Sequence, residues 1–149
     1  MQRQSILVLF GLILFFLAGC TKDSTNTINN TSIIGTWELK QEQGGMMPAI
    51  DYPQGSGNLL KFSGSEYQKY NNNNLVKSGH FTIVEDATVE KEVGLVIPAG
   101  QFNHRLVFDN NFSAPKIFIQ ISNNKLTMLS GYFPLDGGSS VVYQRLDGQ

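Results

Sequence analysis

Ile33-Ile34-Gly35-Thr36-Trp37-Glu38-Leu39-Lys40 and Val141-Val142-Tyr143-Gln144-Arg145-Leu146 are the two stretches on which the fold turns. Side chains of a strand point alternately to opposite faces. In the first stretch this puts Ile33, Gly35, Trp37 and Leu39 on one face and Thr36, Glu38 and Lys40 on the other. In the second, Val141, Tyr143 and Arg145 share a face. One stretch opens a series of such segments and the other ends it. If the sheet rolls up, its first and last strands meet, which removes the exposed edges that invite aggregation. Alternation then sets Arg145 against Trp37, where a guanidinium over an indole contributes about 0.5–2 kcal/mol. The alternative is an ordinary core tryptophan and a solvated arginine.

Between these ends, apolar alternation predicts strands over 58–63, 66–70, 75–84, 102–109, 116–122, 125–131 and 139–146. Turn residues separate them: Ser63-Gly64-Ser65, Asn71 to Asn74, Asp109-Asn110-Asn111, Ser122-Asn123-Asn124 and Asp136-Gly137-Gly138. No segment downstream of residue 32 sustains a 3.6-residue apolar period. About eight strands with short links imply an all-β fold, an antiparallel up-and-down β-barrel or a sandwich. Two stretches interrupt the meander. Residues 43–56 form a long loop with Gly44-Gly45, Pro48, Pro53 and Gly55, and residues 85–101 form an irregular one in which 93–97 could add a short strand. Loops this long are uncommon unless they act or are disordered.

The amino terminus reads as an export leader. Arg3 supplies a positive end, and Ile6 to Leu17 supply an apolar core of about a dozen residues. A membrane-spanning helix needs about 20 apolar residues, and this run stops at Thr21. Cys20, the only cysteine, ends Leu17-Ala18-Gly19-Cys20, which resembles a bacterial lipobox. That resemblance implies cleavage before Cys20 and acyl chains on its sulfur and amino group, hence a membrane partner reached through lipid. An ordinary cysteine behind an ordinary signal is the alternative. Thr21 rather than Asp after Cys20 resembles outer-membrane sorting in Gram-negative lipoproteins. Thr21-Lys22-Asp23 resembles part of the surface-export signal of Bacteroidetes lipoproteins, which leaves the periplasmic and cell-surface faces open. The chain divides into a signal peptide (1–19), a lipidated start and polar linker (20–32) and one domain (33–149). The linker is rich in Ser, Thr and Asn and gives a reach on the order of 20 Å.

Composition excludes some functions. A lone cysteine permits no intramolecular disulfide. The net charge of −1 offers no basic face for nucleic acid. His80 and His104 lack metal-ligand spacing, so no metal or other cofactor is expected. Gly-x-Ser-x-Gly and phosphate-loop patterns are missing, and no acid, base and nucleophile converge. The expected protein is not an enzyme.

Gly35-Thr36-Trp37 resembles the Gly-x-Trp signature of lipocalins and fatty-acid-binding proteins. The segment 141–146 resembles their last strand, whose arginine packs over that tryptophan. Leu60-Lys61-Phe62 with Tyr67, Ser78-Gly79-His80-Phe81-Thr82-Ile83 and Lys125-Leu126-Thr127-Met128 resemble the lipocalin-like domains of Bacteroidetes lipoproteins. The resemblance covers 33–147 and implies a calycin-type barrel that binds a small apolar ligand. An eight-stranded barrel is just wide enough to be filled by side chains or to hold one small ligand. Phe62, Tyr67, Phe81, Phe108 and Tyr143, with Trp37, either fill it or line a pocket, and aromatic residues more often fill. Met46, Met47 and Tyr52 suit a lid over the mouth, a contact surface, or a plug. The competing function is a filled barrel that works through its loops as a protein-interaction or envelope-structural lipoprotein.

Overall fold

The computed structural model describes residues 30–146, with side chains from Ser32. The leader, Cys20 and most of the expected linker lie outside the described residues. A helical turn α1 (Asn30–Ile33) precedes β1 (Gly35–Gly44), β2 (Ile50–Asp51), β3 (Leu59–Ser63), β4 (Glu66–Asn71) and β5 (Asn74–Glu85). A short helix α2 (Val89–Val93) follows, then β6 (His104–Phe108), β7 (Ile117–Ser122), β8 (Lys125–Ser130), a 3₁₀ turn (Phe133–Leu135) and β9 (Ser139–Arg145).

Each long strand pairs antiparallel with the next, and β9 returns to β1. The result is a closed eight-stranded up-and-down barrel with β2 as one extra strand. Because β1 is longer than β3, it needs other partners on that edge. Gly35 to Glu38 pair with β3 and Gln41 and Glu42 with β2. Leu39 donates to the Asn58 carbonyl at 2.9 Å, and the Lys40 carbonyl accepts from Tyr52 at 2.8 Å. The edge is therefore stitched along its length. All the ladders described here close within residues 35–145.

Local sequence explains the tight links. Asn72 and Asn73 (φ 48° and 64°) and Asn123 and Asn124 (φ 50° and 60°) occupy the two central positions of the β4–β5 and β7–β8 hairpins. Such turns need positive φ at both positions, which Asn tolerates better than most residues.

The wall separates two cores. Inside, Trp37, Leu60, Phe62, Phe81, Leu106, Ile119 and Leu126 pack together. Outside, the β5–β6 connection folds back over β7 and β8, where Val89, Val93 and Phe102 cover the outward-facing Phe118 and Leu129. One network of charges fastens the connection. Asp86 pairs with Arg105 (3.4 Å) and Lys116 (3.0 Å), and Lys116 also reaches Glu92 at 3.0 Å.

Three expectations need correction. Residues 93–97 add no strand, because Val89 and Val93, one helical turn apart, bury the same side of α2. Ile33 belongs to a helical turn rather than to β1, which begins at Gly35. The loop expected over 43–56 is shorter, since β1 runs to Gly44 and β2 lies inside it.

Candidate functional site

The barrel has a sealed end and an open one. At the sealed end, Trp37 stands opposite Arg145 in the β1–β9 ladder, and the guanidinium lies 4.1 Å from the ring centroid. Arg145 donates to the carbonyls of Ile34 (2.6 Å) and Ser32, and Trp37 Nε1 donates to the Ile33 carbonyl at 2.7 Å. The two side chains thus hold α1 across the bottom of the barrel, with Ile33 fully buried. Gly35 makes room for them. Its φ is 135°, and a Cβ there would lie 2.7 Å from Arg145 Nη1.

Above this seal the interior is solid. Phe62 and Phe81 meet edge to face at 4.8 Å, over Leu106, Ile119 and Leu126. Tyr67 and Phe108, 4.4 Å apart, form the top of the packed layer. Space then opens. A cavity of about 250 Å³ lies on Leu60, Tyr67, Phe108, Ile117, Met128 and Tyr143. A wider one of about 580 Å³ leads to solvent past Leu39, Glu42, Tyr52, Asn58, Tyr70 and Asn72. Lys69, Lys77, Val141 and Tyr143 border both. The floor is mainly apolar, and the mouth mixes polar and apolar groups.

The expected interior aromatics therefore divide. Trp37, Phe62 and Phe81 fill, whereas Tyr67, Phe108 and Tyr143 line. Tyr52 borders the mouth, but Met46 and Met47 are 82% and 69% exposed and lie outside the lining. The segment thus supplies one wall residue, and its methionines neither cover nor plug the opening.

The three charged lining residues were not expected from the sequence. In β1, Leu39 pairs with Tyr143 and Gln41 with Val142, so Lys40 is an extra, bulged residue. A bulge resets alternation. Glu42 consequently pairs with Val141 and turns into the mouth, where simple parity would have put Gln41. In β4 and β5, Lys69 and Lys77 are direct cross-strand partners on the inner face, two pairs along from Tyr67 and Gly79. Like charges so placed repel. Lys77 is relieved by Asp109 at 3.3 Å. Asp109 also accepts from the Tyr67 hydroxyl (3.0 Å) and the His80 amide (3.1 Å). Gly79 leaves the space for this carboxylate, since a Cβ there would collide with it. Lys69 has no ion-pair partner among the described residues.

The fields follow from these contacts. Burial, then the Glu42 charge and Tyr52, push the Tyr143 phenol up to about 12. Burial alone would raise Asp109, but the Tyr67 hydroxyl, Lys77 and the His80 amide hold it below its usual value. His80 is exposed, while His104 is buried on the inner face opposite Ile119. Among the described residues no three His, Cys, Asp or Glu side chains gather as a metal site would require.

No protein-family model matches the chain, and no curated protein matches it.

Proposed function

We propose that this chain is a lipid-anchored lipoprotein of the outer envelope whose lipocalin-like barrel binds a small, largely apolar molecule. The observation that supports binding is the half-empty interior. Side chains close the barrel at one end and stop at Tyr67 and Phe108, leaving an apolar floor under an open mouth. Pockets for small ligands have this form: mostly apolar, with a few convergent polar groups. The Gly35-Thr36-Trp37 and Arg145 pairing at the sealed end supports the lipocalin-like reading. The leader and Leu17-Ala18-Gly19-Cys20 support the anchor.

Native mass spectrometry of a chain begun at Thr21 tests binding. A discrete added mass, lost when Val141→Trp fills the floor, is the expected result. Protein of bare mass that also fails to take up a neutral apolar dye refutes it. The anchor is tested by cell fractionation. Wild-type protein should sediment with membranes and Cys20→Ser should not, while protease shaving of intact cells reports which face is displayed.

A second reading has its own observation. Met46 and Met47 stand exposed on the β1–β2 connection, and flexible methionines suit an adaptable protein contact. Cross-linking from position 46 to an envelope protein, unaffected by filling the floor, would favour it.

A further inference from the structure

The mouth contains two opposite charges that the protein leaves unmatched. Glu42 comes from β1 through the Lys40 bulge, and Lys69 from β4. Both border the same cavity, yet neither makes an ion pair among the described residues. The other two charges there cancel, since Lys77 is held by Asp109. Glu42 accepts only a long bond from the Tyr52 hydroxyl, 3.3 Å, and keeps acceptor capacity to spare. A purely apolar guest would bury the floor and do nothing for these charges. A simple anion would satisfy Lys69 but approach Glu42 at a cost, and a simple cation would do the reverse.

We propose that the mouth selects a zwitterion with an apolar body: a free apolar amino acid or a dipeptide of such residues. Its ammonium faces Glu42, its carboxylate faces Lys69, and its side chain enters the floor over Leu60, Phe108, Ile117 and Met128. This rests on the small-ligand reading above and narrows it. The negative end of such a ligand gives Lys69 the counter-charge that Asp109 already gives Lys77. Tyr52 and Tyr143 then flank its ammonium end beside Glu42. Recognition is by charge position, so a probe lacking either end forfeits one contact and keeps the rest.

The test is calorimetric titration of the chain begun at Thr21 with leucyl-leucine, its N-acetyl form, its C-terminal amide and the doubly blocked form. Leucyl-leucine should bind tightest, and blocking either end should weaken binding about tenfold, the equivalent of 1.4 kcal/mol. Glu42→Gln should weaken only probes with a free amine, and Lys69→Met only probes with a free carboxylate. Both side chains are exposed, and thermal melting of each variant confirms that the fold is intact. Equal weakening of all four probes by either variant overturns the inference. So does tightest binding by the acetylated probe, which would indicate a simple anion. If no peptide binds but the neutral dye N-phenyl-1-naphthylamine does, the zwitterion falls and the apolar-ligand reading survives. If the dye fails as well, both fall.

Discussion

Replacing Arg145 by Ala removes three interactions at one point. The stacked guanidinium contributes about 0.5–2 kcal/mol over Trp37. Each hydrogen bond from the charged group to a carbonyl, at Ile34 and at Ser32, contributes about 1.5–3 kcal/mol. These do not add in full, because the loosened turn lets water reach both carbonyls. We expect a net loss of about 3 kcal/mol, within the range of breaking a buried network. For a domain of this size that lowers the melting temperature by about 10–15 °C. Trp37 is the only tryptophan, so its fluorescence reports this seam and nothing else. Arg145→Ala should redshift its emission and melt early by fluorescence and circular dichroism alike. Arg145→Lys, which keeps a charge but loses the planar fork, should recover less than half of the loss. A melting temperature within about 2 °C of wild type, or under 1 kcal/mol on the same scale, with unshifted emission would refute the claim that this pair seals the barrel.

Three further outcomes follow from the same structure. Burial alone would raise Glu38, but Lys40 at 2.5 Å and the Gly55 and Ser56 amides hold it below its ordinary 4.5. A depressed carboxylate contributes its stability above the unfolded pKa and loses it as pH falls through the folded one. The urea midpoint should therefore drop as pH falls below 4.5, less steeply in Glu38→Gln; Asp86 and Asp109, also depressed, retain part of the slope. Phe118→Ala empties the outer core and should cost about 3–5 kcal/mol in denaturant melts, whereas an effect under 1 kcal/mol would mean that the α2 segment barely packs there. In a spectrophotometric alkaline titration, the last tyrosine should ionise near 12 and vanish in Tyr143→Phe; an unchanged late phase in that variant would show that another phenol is the buried one.

Alternation made the barrel legible. Trp37 and Arg145 fall on matching faces of strands that must meet, and Asn pairs mark the hairpins. The outer core was less visible, although Ile117-Phe118-Ile119 reads as apolar on both faces, the sign of a strand covered on each side. The α2 helix offers only Val89 and Val93 amid charges, too little to declare a period. The mouth was the least legible part. Glu42 faces inward because of a bulge at Lys40, and nothing in Glu38-Leu39-Lys40-Gln41 announces a bulge. Lys69 and Lys77 follow the inward parity of Tyr67 and Phe81, but lysine inside a barrel contradicts ordinary expectation until the interior is seen to be half empty. Whether aromatic residues fill or line depends on height along the axis, which strand parity does not encode.

The helical turn beneath Trp37 has a mechanical meaning. Traction on the polypeptide upstream of Asn30 arrives first at the carbonyls gripped by Arg145, a residue of the final strand. The pull is therefore shared between the two ribbons instead of unzipping the first from its neighbours. It also fixes which pole the incoming chain meets: α1 lies against the sealed end, opposite the open rim.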